Sequence, residues 1–327
     1  MNHFQRYLAE EYAEDFWDGR IARRDALKVI ATVTGSVLMA ESFLAACAPR
    51  SVGDSPPTGA ATAPASSTAL NARSTDTPSS AISPSPATSG IVAPGDPDIQ
   101  GGPVEVPVEG AILSGYLART VGDGPFPVVL VCHENRGLTD HLRDVARRVA
   151  KAGYVALAVD LLSRQGGTQA VGSDNVPGML GSLPPEQFVE DFVSGLDYLR
   201  GQPYADADRA GMVGFCFGGG VTWLVATRVP SLLAAVPFYG PHPPVVDVPG
   251  IQAAVLAIYA GRDDRINQGI AEIEAAMLQQ GKVYEKVVYP DVDHAFHNDT
   301  GSRYSPQAAQ DAWRRTLEWF DRYLRQS

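Results

Sequence analysis

Five short runs of almost uninterrupted apolar residues, 126–132, 154–159, 210–215, 234–239 and 254–259, constrain this chain most. Runs of that length without polar alternation read as strands buried on both faces. Segments with helical apolar spacing separate them. One is the stripe Leu142, Val145, Ala146 and Val149, which Thr139 can cap and Gly153 ends; another is Phe188, Phe192, Leu196 and Leu199. Residues 217–228, 270–279 and 309–324 read as further helices and 285–289 as a further strand. Two short strands are expected at 104–108 and 113–119, and an irregular stretch at 163–184. Doubly buried strands alternating with helices imply right-handed crossovers. The expectation is an α/β fold with a mainly parallel central sheet flanked by helices.

Residues 48–100 break this pattern. Of these 53 residues, 39 are Pro, Ser, Thr, Ala or Gly, and none is aromatic. Such a segment cannot bury enough apolar surface to offset its ordering entropy, so it reads as a disordered linker. The chain therefore divides into 1–47, the linker 48–100, and a folded unit 101–327. The net charge is −11, with a pI near 5.0, which argues against a nucleic-acid partner. Three cysteines, Cys47, Cys132 and Cys216, are too few for a disulfide scaffold.

Arg23 and Arg24 precede a moderately apolar stretch, 29–46, that Thr32, Thr34, Gly35, Ser36, Glu41 and Ser42 interrupt. A charge near mid-bilayer is costly, which weakens a membrane-span reading. Paired arginines before a weakly apolar stretch better resemble a twin-arginine export signal. The stretch ends Leu44-Ala45-Ala46-Cys47, resembling a lipobox whose cysteine becomes a lipidated N-terminus. The expectation is an exported, extracytoplasmic bacterial lipoprotein, anchored to the membrane at Cys47. Against it, the region up to and including Arg24 carries five acidic residues and four arginines, whereas leader n-regions are usually positive.

In parallel α/β sheets, ligands bind beyond the carboxyl ends of the strands. One strand end reads Gly214-Phe215-Cys216-Phe217-Gly218-Gly219, a nucleophile-elbow pattern with Cys in place of Ser. The nucleophile would sit on a sharp strand-to-helix turn, with the Phe217 N–H facing a developing oxyanion. The strand ending at Tyr259 runs into Asp263 and Asp264, and the one ending at Tyr289 runs into His294. The order Cys, Asp, His is that of α/β-hydrolase triads. His294 is the candidate base. Asp263 is its candidate orienting carboxylate, preferred to Asp264 because Ile266 lies where the loop turns back into apolar packing.

These motifs resemble the dienelactone hydrolase (carboxymethylenebutenolidase) family of α/β-hydrolases, over nearly all of 101–327. The resemblance implies the α/β-hydrolase fold and a cysteine nucleophile that cleaves an ester or lactone without a cofactor. It implies that Glu134, in Cys132-His133-Glu134-Asn135-Arg136-Gly137, pairs with the resting thiol, and that the Asn135 N–H is the second oxyanion donor. It also implies that Arg164 binds a substrate carboxylate. Where the family's second such arginine is expected, His297-Asn298 stands instead; Arg303 is a nearby substitute. His294, His297, Asp299, Asp291 and Asp293 match no standard zinc spacing, so no metal is expected. Two other readings are a non-catalytic surface protein that binds a small ligand, and a redox-gated protein using Cys132 with Cys216. The two thiols are expected to be free.

Overall fold

The computed structural model describes residues 1–48 and 90–325. The linker expected at 48–100 lies mostly outside the described residues. Its last part does not: Val92 is buried and its N–H donates to Asp144, and the first strand already begins at Ile99. The folded unit therefore starts about ten residues before 101.

The chain opens with three helices, α1 (His3–Trp17), α2 (Arg23–Thr34) and α3 (Val37–Ala46). The main unit continues with β1 (Ile99–Val108), β2 (Ala111–Thr120), β3 (Phe126–Cys132), α4 (Asp140–Lys151) and β4 (Val155–Val159). Next come α5 (Thr168–Val171), α6 (Val176–Ser182), α7 (Pro185–Arg200), β5 (Ala205–Phe215), α8 (Phe217–Arg228) and β6 (Leu232–Phe238). It closes with β7 (Ala254–Ala260), α9 (Asp264–Asn267), α10 (Ile270–Gln279), β8 (Tyr284–Tyr289) and α11 (Pro306–Phe320).

The eight strands form one sheet in the order β1-β2-β4-β3-β5-β6-β7-β8. β1 and β2 pair antiparallel with each other, and β2 pairs antiparallel with β4. All other neighbours are parallel. This is the mixed, mainly parallel α/β-hydrolase sheet. The apolar runs lie at its centre, where β4 and β7 are buried at every residue. β1 extends back through Gly101, Gly102 and Pro103, which hide it from pattern reading; an edge strand tolerates proline.

The stretch 163–184 holds two short helices, α5 and α6. Gly178 and Gly181 lower the helix propensity of α6, yet both are there for packing. A Cβ at Gly178 would approach Thr32 Cγ2 to 2.9 Å, and one at Gly181 would approach Val33 Cγ2 to 2.7 Å and Leu8 Cδ1 to 3.1 Å. The small residues let α1 and α2 lie close on α6.

The first 47 residues are therefore packed on the main unit. Phe4, Tyr7, Leu8, Val29 and Val33 are buried in the main core. Ala9, Ala13, Ala26, Ile30, Ala40 and Leu44 form a smaller core among the three helices themselves. Cys47 is exposed just beyond α3. Among the described residues no single helix is long and apolar enough to cross a membrane, and α2 and α3 are bent by 116° to each other.

Candidate active site

Parallel strands bring their carboxyl ends to one edge of the sheet. Cys132 of β3 pairs with Gly214 of β5, Phe215 with Phe238 of β6, and Ala260 of β7 with Tyr289 of β8. The loops leaving those ends build the site. Cys216 occupies the one-residue turn between β5 and α8 at φ 60°, ψ −121°. A positive φ is rare for a residue with a Cβ and marks a strained position. The turn is possible because its flanks are glycine: a Cβ on Gly214 would run into the Gly218 carbonyl, and one on Gly218 into the carbonyls of Cys132 and His133. The Cys216 N–H donates to the Phe238 carbonyl at 3.0 Å, which pins the elbow to β6.

His294 lies in the loop after β8, and Ala295 at φ 65° turns the chain sharply behind it. Asp263 caps α9, its Oδ1 accepting the Ile266 N–H at 3.3 Å. Its Oδ2 meets His294 Nδ1 at 2.6 Å, and both side chains are buried. Burial favours a neutral Asp263 carboxyl, yet His294, Arg265 and the Ile266 N–H hold it below the usual carboxylate range. Burial lowers the His294 pKa, but the Asp263 carboxylate and Cys216 outweigh that and push it up to about 10. Cys216 is itself pushed up, first by burial and then by the Glu11 carboxylate, against the pull of His294.

The loop after β3 carries the other expected residues. His133 Nε2 accepts the Leu161 N–H at 3.1 Å, so its proton is on Nδ1, which donates to the Glu134 carbonyl at 2.8 Å. That bond orders the segment holding Glu134 and Asn135. Both are buried beside the cavity next to Cys216. The Glu134 carboxylate accepts from Asn298 Nδ2 at 2.7 Å.

The thiol has other partners, both on α1. Tyr7 Oη lies 3.1 Å from Cys216 Sγ, and the thiol donates to Glu11 Oε1 at 3.5 Å. Glu11 Oε1 is also 3.7 Å from His294 Nε2. The ligand atoms of Glu11, Cys216 and His294 lie within 4.8 Å of one another, a spacing able to hold a metal ion. Cys216 is only 3% exposed. A cavity of about 330 Å³ reaches its edge, lined by Glu11, Glu134, Arg136, His294 and Arg303 among others.

Arg164 is placed differently from its expected role. It pairs with the fully buried Asp191 at 2.9 Å and does not line this cavity. Arg136 and Arg303 do, with Arg303 3.9 Å from Asp15 of α1. The other histidine of this loop, His297, is buried and stacked on Phe215. Asp299 is bound by His141 and Arg148. Cys132 is a buried free thiol, and Cys216 is free as well.

Tyr7, Glu11 and Arg136 escaped the sequence reading. The spacing Phe4, Tyr7, Leu8, Glu11 is a helical stripe. Taking 1–47 as a leader removed the reason to ask what that stripe packs against.

Residues 113–324 match the dienelactone hydrolase family model. A relative from Methylorubrum extorquens, provisionally named a carboxymethylenebutenolidase, is 36% identical over 235 residues, which cover 68% of this chain and 81% of that protein. A similarly named protein of Escherichia coli K12 is 35% identical over 254 residues, covering 73% of this chain and 93% of its own. The crystal structure of a protein from Klebsiella pneumoniae, provisionally named a dienelactone hydrolase, superposes with a TM-score of 0.65 at 33% identity, over 69% of this chain and 99% of that one. Sheet order, elbow and matched residues agree: this chain belongs to the dienelactone hydrolase family.

Proposed function

We propose that the protein hydrolyses a carboxylic ester or lactone with Cys216 as nucleophile, His294 as acid and base, and Asp263 as its orienting partner. The observation that carries this reading is the buried 2.6 Å contact between His294 and Asp263, beside a cysteine held at φ 60° in a glycine-flanked elbow. The thiol first gives its proton to His294, because the thiolate is the nucleophile. Its sulfur then attacks the carbonyl carbon, and the carbonyl electrons move onto oxygen. The N–H groups of Phe217 and Asn135 are assigned to that oxyanion. The tetrahedral intermediate collapses with departure of the alkoxide, which takes the His294 proton. Neutral His294 then removes a proton from water, the hydroxide attacks the thioester, and the thiol is restored.

The roles of Glu134 and of a carboxylate-binding arginine are narrower. Glu134 is assigned to shaping the loop through Asn298, because the thiol points to Glu11 instead. Arg136 and Arg303, not Arg164, are the cations available to a polar substrate in the cavity.

The test is hydrolysis of p-nitrophenyl acetate. Cys216→Ala is expected to lose nearly all turnover while keeping its fold by circular dichroism. Retained turnover in that folded variant refutes the reading. Two rivals are tested at once. A ligand-binding protein shows no Cys216-dependent turnover in the wild type, and a redox-gated one turns over only after reductant.

A further inference from the structure

Helix α1 lies outside the family-matched residues 113–324, yet it supplies two hydrogen-bond partners of the candidate nucleophile, Tyr7 and Glu11. We propose that α1 is an autoinhibitory cap: it holds Cys216 buried against Tyr7 and Glu11, and must move before a substrate carbonyl can reach the sulfur. This inference rests on the reading of Cys216 as the nucleophile.

The first argument is occupancy. Tyr7 Oη and Glu11 Oε1 lie 3.1 and 3.5 Å from Sγ and fill the approach from the α1 side. Cys216 as a whole residue is left 3% exposed, at the edge of the cavity. The second is charge. A carboxylate beside a desolvated thiol disfavours the thiolate, so the docked helix holds the sulfur in its unreactive form. The opposing groups are named by the structure: His294 favours the thiolate, while Glu134 and Glu11 disfavour it.

The third argument concerns attachment. Glu14 pairs with Arg265 at 3.0 Å, and Asp15 lies 3.9 Å from Arg303. The Arg265 guanidinium also sits over the Tyr7 ring, 4.6 Å from its centroid. Phe4 packs against Phe188 and Phe217 at 5.6 and 5.1 Å. These contacts are specific, but open space borders the seat. Cavities of about 330 Å³ flank α1 on both sides, one at Cys216 and one beneath His3, Arg6 and Glu10. The three helices also share a small core of their own, so a shift of all three together keeps that core and gives up only the contacts of Phe4, Tyr7, Leu8, Val29 and Val33 with the main one.

The experiment follows alkylation of Cys216 by iodoacetamide in the full-length native protein, read by peptide mass spectrometry, so that Cys47 and Cys132 are scored separately. Phe4→Ser loosens the seat without touching the thiol. It is expected to speed alkylation of Cys216 and raise p-nitrophenyl acetate turnover together. Glu11→Gln keeps the side chain's shape and removes its charge. Its alkylation–pH profile is expected to move to lower pH, with a gain of about tenfold at neutral pH. Unchanged or slower alkylation in both folded variants overturns the cap. So does lost turnover with unchanged alkylation, which would make α1 a working part of catalysis. If alkylation accelerates but Cys216→Ala retains turnover, the cap stands and the nucleophile reading fails.

Discussion

Asp263 and His294 carry the strongest electrostatic coupling in the site, and two residue-scale predictions follow from buried charge. Folding raises the His294 pKa from 6.5 to about 10, chiefly through Asp263. A group whose folded pKa is raised adds stability that is fully present below its unfolded pKa and is lost as pH rises through the folded one. Wild type is therefore expected to lose stability between about pH 6.5 and pH 10, and Asp263→Asn to lose much less of it there. Thermal melts across that range check the sign; parallel curves for the two proteins contradict it. The same variant is expected to lose about 10³–10⁴ in kcat, because the amide no longer stabilises the imidazolium. Arg164 shows where a matched residue misled. Its guanidinium offsets the charge of a buried carboxylate, and burial already holds Asp191 above its ordinary range. Arg164→Ala is expected to cost about 3 kcal/mol at neutral pH. The cost should shrink as the pH falls, because burial favours the protonated Asp191 carboxyl. A raised KM with unchanged melting would return Arg164 to substrate binding.

At the scale of elements, most of the sheet was legible because doubly buried strands announce themselves as apolar runs. The elbow was legible because its geometry demands glycine at 214 and 218. What stayed hidden was governed by packing partners distant in sequence. β1 carries glycines and a proline that only an edge position explains. Helix α6 looked irregular because Gly178 and Gly181 answer to Thr32, Val33 and Leu8, about 150 residues upstream. Those glycines make a direct test of how the cap is seated. Gly181→Val overfills the α6 contact, at a cost of about 1–3 kcal/mol. Because that cost falls on the docking of α1 and α2, Cys216 alkylation is expected to rise while the main unfolding transition stays near its wild-type temperature. A large drop in that transition with unchanged alkylation would place the strain in the hydrolase unit instead.

At the scale of the whole molecule, one segment carries two signatures. Residues 1–47 read as a leader, and they fold as three helices over the active site. The two are compatible if the chain is exported folded, and we propose that order of events. In the docked state the side chain of Arg24 is 91% exposed and that of Arg23 59% exposed, so the paired arginines are open to a receptor. Cys47 is exposed too, but the bond before it is not ready for cleavage. Leu44 is buried, and its carbonyl accepts the Trp17 indole N–H at 3.1 Å. Cleavage at that bond would require α3 to open, which would also loosen the small core shared with α1. Cleavage before Cys47 would cut α1 from the hydrolase unit and leave its docking to non-covalent contacts alone. The expected outcome is a cytoplasmic precursor with slow Cys216 alkylation and a membrane-associated chain beginning at Cys47 with fast alkylation. Arg23→Lys with Arg24→Lys should leave only the first form. Intact-mass measurement of the membrane fraction decides the matter: an active chain there that still contains Tyr7 would show that α1 travels with the enzyme and that activation needs only its displacement.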